Sequence, residues 1–281
     1  MITFSDYPIL TEAAWQERIE ALAGTPHGTK TQQEIYRELL ALVDLTTLEG
    51  TDTEARVISL CEKAYGIEDI ARGIPKVAAV CVYSPFVMLC KEKLRGKDIR
   101  VAAVAGGFPS GQLPIILKLG EIHFALDEGA DEIDTVISRG KMLEGDYVKV
   151  FNEICLSKIA CKKKPLKVIL ETGELLKPEL IRKASEIAIN AGADFIKTST
   201  GKIQPAATEM AAVVMCDTIL DYYTKSGIRV GFKAAGGISQ PDIALRYYNI
   251  VANILGDEWR NPKLFRIGAS RLVDKLLEVI T

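Results

Sequence analysis

Short, almost unbroken apolar runs recur along the chain. They are ALVDLT (41–46), VAAVCVY (77–83), RVAAVAG (100–106), DEIDTVI (131–137), LKVILET (166–172), DFIKTS (194–199), RVGFKAA (229–235) and LFRIGAS (264–270). Runs with little alternation fit strands covered on both faces. The intervening segments carry helical periodicity. In KPELIRKASEIAINAG (177–192), Leu180, Ile181, Ala184, Ile187, Ala188 and Ala191 share one face, Pro178 suits a first turn and Gly192 a C-terminal stop. TEMAAVVMCDTILDYY (208–223) reads as a second helix, with Thr208 as its cap. Eight strands, each followed by a helix, predict an α/β chain folded as a (β/α)8 TIM barrel. An open doubly wound sheet fits less well, because no GxGxxG turn follows a strand. The first forty residues hold two extra helical segments, expected to cover one barrel end. No linker divides the chain, so 1–281 reads as one domain, with 1–40 as a helical extension and 41–281 as the barrel.

Composition narrows the partners. The chain has 281 residues, with 35 basic and 37 acidic side chains and a net charge of -2. That balance argues against nucleic acid and anionic membrane as partners. No apolar run approaches the roughly 20 residues of a membrane span, and the opening MITFSDYPILTEAAWQERIE does not read as a signal peptide. The six cysteines are scattered with no CxxC pair, which predicts reduced thiols and a cytoplasmic protein.

A barrel keeps its site at the C-terminal ends of its strands. Lys197 ends the sixth run, Lys233 the seventh and Cys81 the second; Thr46 closes the first, and Asp134 lies within the fourth. Small-residue turns follow the last three: STGK (199–202), AGGIS (235–239) and GAS (268–270). Backbone amides approach an anion closely where side chains are absent, so Gly236, Gly237 and Gly268 suit a phosphate, with Lys202 and Ser270 adding a charge and a hydroxyl. Neighbouring strands lie about 4.8 Å apart, which brings the Lys197 and Lys233 amines together. At about 5 Å and an effective dielectric near 20 they repel by roughly 3 kcal/mol, raising the neutral amine a hundredfold or more. Desolvation acts in the same direction. One lysine alone would snorkel or pair with a carboxylate; two, beside Asp134, point to an amine poised to form a Schiff base. Asp134 and Lys233, through a water, are then candidates for the proton transfers. Only two histidines occur, His27 in a turn and His123 in a helical stretch. They make no metal-binding pair, so no metal is expected.

The motifs DLTTL (44–48), AAVCVYSPF (78–86), GFPSG (107–111), GADEIDTVISRG (129–140), KVILETGEL (167–175), ADFIKTSTGK (193–202), GFKAAGGI (231–238) and FRIGAS (265–270) resemble those of the 2-deoxyribose-5-phosphate aldolase family. The resemblance implies a class I aldolase that reversibly cleaves 2-deoxy-D-ribose 5-phosphate into D-glyceraldehyde 3-phosphate and acetaldehyde. It implies Lys197 as the Schiff-base lysine, Lys233 as the lysine that perturbs it and Asp134 as the proton relay. It places Thr46, Cys81 and Thr200 near the sugar and Gly201, Lys202, Gly236, Gly237, Gly268 and Ser270 at the phosphate. The covalent Schiff base with substrate leaves no cofactor to be expected. Three departures stand out: the chain ends LLEVIT without a tyrosine tail, Arg271 follows Ser270 where some members have a small hydroxyl residue, and Ala234 replaces a proline. The partner is a small sugar phosphate, and a homodimer through the N-terminal helices is a further expectation. Two other readings stay open: another Schiff-base aldolase or transaldolase, and a non-catalytic sugar-phosphate-binding barrel.

Overall fold

Each apolar run becomes a strand, trimmed at its ends. The structure, a computed structural model, describes residues 4–70 and 73–281. The strands are β1 (Val43–Thr46), β2 (Ala79–Tyr83), β3 (Arg100–Ala105), β4 (Glu132–Val136), β5 (Leu166–Ile169), β6 (Phe195–Lys197), β7 (Gly231–Ala235) and β8 (Phe265–Ala269). All pair in parallel in sequence order, and β8 pairs back onto β1, closing the barrel.

Two helices precede the barrel, α1 (Glu12–Ala23) and α2 (Gln32–Ala41). Helices α3 (Glu54–Ile70), α4 (Val87–Lys93) and α5 (Ile115–Asp127) follow β1, β2 and β3. After β4 come α6 (Arg139–Glu144) and α7 (Tyr147–Cys161), and after β5 come α8 (Thr172–Leu175) and α9 (Pro178–Asn190). The ring is completed by α10 (Glu209–Ser226), α11 (Pro241–Leu255) and α12 (Leu272–Ile280). The punctuation follows the sequence. Thr208 caps α10 by accepting from the Ala211 amide, and α9 starts at Pro178. Gly192, at φ +95°, turns the chain out of α9 in a conformation that glycine adopts without strain.

One expectation needs correcting. Helices α1 and α2 do not lie across a barrel end. They pack chiefly on the outer layer, α1 against α10 and α11 and α2 against α11 and α12. Their polar groups match that position: Asn249 donates to the Ala23 carbonyl, and the Tyr36 hydroxyl donates to Asp242. Among the described residues no helix is long and apolar enough to cross a membrane.

Side chains alternate along each strand. Val43, Leu45, Val80, Val82, Val101, Ile133, Val168, Ile196, Phe232 and Ile267 belong to the main core shared with the helices. The opposite parity faces the barrel axis. Barrel interiors are commonly filled with branched apolar residues, and Ala79, Cys81, Ala102, Val104, Val136 and Ile169 form such a cluster. Across from it the strands turn in Asp44, Glu132, Asp134, Lys167, Lys197, Lys233 and Arg266, all buried.

Candidate active site

Those seven buried charges form one network. Strand pairing sets Lys197 directly beside Lys233, and Asp134 beside Lys167. The Lys197 and Lys233 ammonium groups each donate to the same oxygen, Asp134 Oδ2, at 2.8 Å. Lys167 donates to the other oxygen of Asp134 at 2.7 Å and pairs with Glu132 at 2.6 Å. Lys233 also bonds Asp44, and Arg266 bridges Asp44 and Glu132. From the solvent side, half-exposed Arg100 reaches Glu132.

The buried members comprise three acids and four bases, so the fully ionised set carries one uncompensated positive charge. An isolated buried charge is costly. The cheapest way to restore neutrality is for one lysine to release a proton, and the surroundings select which one. Burial lowers Lys197, the charge of Lys233 lowers it further, and Asp134 opposes; the net direction is down. At Lys233 and Lys167 burial acts downward too, but it is outweighed by Asp134 and Asp44 for Lys233, and by Asp134 and Glu132 for Lys167. Both amines are held more basic than usual. Burial alone would raise Asp134; the charges of Lys167, Lys197 and Lys233 prevail and hold its carboxyl well below the usual range. Glu132 is likewise lowered to about 2: Lys167 and Arg266 overcome its burial. Lys197 is therefore the amine with one carboxylate partner where Lys233 has two, and the one lysine of the three whose basicity falls. Of the two effects that lower it, burial is the larger and repulsion by Lys233, expected from the sequence to lead, the smaller.

Above Lys197 opens a cavity of about 190 Å3. Thr46, Lys197, Thr200, Gly201, Lys202, Gly236, Gly237, Gly268 and Ser270 all line it, together with Arg271. Asp134 and Lys233 lie under its floor, fully buried. Lys233 sits mid-strand rather than at a strand end and does not line the cavity. Cys81 is the third of five residues in β2, packs in the apolar cluster and does not line the cavity. Burial raises its thiol. A wider surface cavity, about 880 Å3, lies beside α4 and the N-terminal end of β3 and holds none of the lysines of the network.

The cavity wall is built for an anion. Gly236 and Gly237 follow β7 at φ +92° and +82°. A Cβ at Gly236 would meet Ala206 Cβ at 2.5 Å and Ser199 Oγ at 2.8 Å, whereas one at Gly237 would meet nothing within 4 Å. Among the described residues the amides of both glycines and the hydroxyl of Ser270 make no hydrogen bond. Arg271 likewise has no ion-pair partner there, while Lys202 pairs with Glu49 at 3.0 Å. The Gly201 amide is turned inward to Ser199 Oγ at 3.3 Å. Gly268 has a different local reason: a Cβ there would press on Lys233 Cε at 3.2 Å. His123 is exposed, and His27 bonds Asn253 on the outer layer. Among the described residues no three His, Cys, Asp or Glu side chains are grouped to hold a metal.

Comparison with known proteins bears on this geometry. The family model described as DeoC/LacD family aldolase matches residues 39–246. This chain belongs to that family. Deoxyribose-phosphate aldolase of Homo sapiens is 44% identical over 247 residues, covering 84% of this chain and 78% of the human protein. The Bos taurus protein of the same name is 45% identical over 241 residues, covering 82% and 76%. A solved structure titled "QR15, an Aldolase" superposes with a TM-score of 0.69 at 27% identity, over 86% of this chain and 95% of the other. The family match ends within α11, so the contributions of β8, Arg266, Gly268 and Ser270, rest on the structure.

Asp44, Glu132, Lys167 and Arg266 were not singled out from sequence. Their signal was present: each is a charged residue at an inward position of a strand run, in ALVDLT, DEIDTVI, LKVILET and LFRIGAS.

Proposed function

We propose that this aldolase reversibly cleaves 2-deoxy-D-ribose 5-phosphate to D-glyceraldehyde 3-phosphate and acetaldehyde, through a Schiff base on Lys197. The names of its relatives support the substrate. One structural observation carries the chemistry: the single cavity-lining lysine of the network is also the one that burial and the neighbouring Lys233 charge make easiest to deprotonate.

The neutral Lys197 amine adds to the C1 aldehyde of the open-chain sugar, and the carbinolamine loses water to give a protonated imine. Asp134, through a water, takes up the C3 hydroxyl proton as the C2–C3 bonding electrons move toward the imine, and the same path returns it to C2. Glyceraldehyde 3-phosphate leaves, and an enamine stays on Lys197. Protonation at C2 and hydrolysis release acetaldehyde and return the amine. The reaction needs no group beyond substrate, water and side chains. Asp134 is ionised in the resting site, accepts from Lys197 and carries the protons of the reaction in turn through water. Lys233, buried and held basic, acts on the charge of Lys197 rather than on substrate. Thr46 and Thr200 border the sugar, and Cys81 shapes the apolar floor from below. The phosphate sits against the Gly236 and Gly237 amides, Ser270 and Arg271, and Lys202 exchanges the Glu49 carboxylate for it.

Incubation with acetaldehyde and borohydride, then peptide mass spectrometry, tests this reading. The expected result is a reduced two-carbon adduct on Lys197, with acetaldehyde released from deoxyribose 5-phosphate in a separate assay. An unmodified Lys197, or an adduct spread over surface lysines, would overturn it.

A further inference from the structure

The corner at the start of α8, Glu171-Thr172-Gly173, has no part in the chemistry above, yet it is tightly constrained and lies against a loop of the cavity. Glu171 is fully buried and holds φ 57°, ψ 59°, a left-handed conformation uncommon for a residue with a side chain. Its carboxylate accepts two hydrogen bonds from one residue: the Thr200 amide at 3.0 Å and the Thr200 hydroxyl at 2.6 Å. With its hydrogen so committed, the Thr200 oxygen accepts the Lys202 amide at 3.1 Å. Arg139 balances the buried charge, at 3.4 Å from Glu171 and 2.8 Å from Glu174.

A second contact reaches the same loop. A Cβ at Gly173 would lie 1.7 Å from the Pro205 carbonyl oxygen, so α8 touches the backbone of the β6–α10 loop directly. The two ends of the 200–205 segment are thus clamped by residues two apart in sequence. That segment carries Gly201 and Lys202 and abuts Gly236, whose own Cβ position would fall 3.1 Å from Gly201 Cα.

We infer that Glu171 and Gly173 are positioning residues for phosphate selectivity. They hold the Thr200–Lys202 turn at the height where a phosphate, five bonds or more from the imine carbon, meets the cavity wall. Among the described residues neither has a hydrogen bond or ion pair to the Lys197 amine. The inference rests on the proposed aldolase reading, and its consequence is a split between the two ends of the substrate. Loosening the clamp weakens recognition of the phosphate and leaves Schiff-base formation intact.

The test compares wild type, Glu171→Gln and Gly173→Ala on deoxyribose 5-phosphate and on unphosphorylated 2-deoxyribose, following acetaldehyde release. Inorganic phosphate binding is measured by calorimetry alongside. For each variant kcat/KM on the phosphorylated sugar falls about tenfold, mostly through KM. On the unphosphorylated sugar it stays within about twofold, and phosphate binds about tenfold more weakly. Equal losses on both sugars in a cooperatively melting protein, or no loss on either, overturns the inference. The wild-type Lys197 adduct reads the aldolase proposal separately, and the phosphate affinities read the clamp even without turnover.

Discussion

Replacing Lys233 with methionine tests the electrostatic account most severely, since that side chain is fully buried and does not line the cavity. In the native network Lys197 and Lys233 share one oxygen at 2.8 Å each. Their nitrogens can be no farther apart than twice that distance. At that separation and an effective dielectric of about 20, one ammonium destabilises the other by about 3 kcal/mol. Removing Lys233 therefore raises the protonation constant of Lys197 about a hundredfold. The charge count agrees in sign: with Lys233 gone, three acids face three bases, and Lys197 is comfortable as an ammonium ion. The assay is kcat/KM against pH, with the rate of borohydride trapping followed in parallel. Activity that requires the neutral amine rises with pH through the pKa of Lys197. The limb should move to higher pH by about two pH values, with about a hundredfold loss at neutrality and recovery in alkaline buffer. Breaking a buried pair costs roughly 3–5 kcal/mol, so melting curves must accompany the kinetics. An unmoved limb would refute the reasoning. A loss of equal size at every pH would instead mean that Lys233 moves a proton.

Further expectations follow from the same geometry. Lys197→Arg keeps the charge and removes the nucleophile, so cleavage and trapping should both drop by more than about a thousandfold while secondary structure by circular dichroism is retained. Gly236→Ala forces a Cβ against Ala206 and Ser199 at positive φ; KM for the phosphorylated sugar should rise at least about tenfold. Gly237→Ala meets open space and should lose only about 1–2 kcal/mol of stability for its left-handed backbone, read by denaturant titration. Glu132 is held at about 2 against an ordinary 4.5. Between those values the unfolded chain binds more protons than the folded one, so stability rises with pH there and is lost on acidification. Glu132→Gln removes that dependence: its stability deficit, measured by urea unfolding, should shrink between pH 6 and pH 3.

Strand positions were the most legible feature, because each strand is covered on both faces and announces itself as an apolar run. Lys197 and Asp134 were legible as charges inside such runs. The same criterion also marked Asp44, Lys167 and Arg266, which went unused because sequence does not tell an inward charge from one at a strand's edge until the register is known. With Asp44 opposite Gly268 and Lys167 opposite Asp134, the four bases and three acids come together and the pKa logic changes. Lys233 becomes a buried cation held by two carboxylates. The glycine turns pointed to the anion cradle, but the inward-turned Gly201 amide and the Lys202–Glu49 pair are tertiary facts. The placement of α1 and α2 was not legible either. Amphipathic segments show that a face will be buried, not what buries it. Glu171 lay in plain view in LKVILET, where a residue at a strand's end gives no sign of a left-handed backbone.

The central claim is that the buried excess of positive charge makes Lys197 the neutral amine of the set. Titration of lysine-labelled protein by carbon NMR, with the Lys197 resonance assigned by its absence in Lys197→Arg, measures this directly. The account predicts a midpoint below the ordinary lysine value of about 10.4, with Lys167 and Lys233 titrating above it. A Lys197 midpoint at or above that of a surface lysine would contradict it.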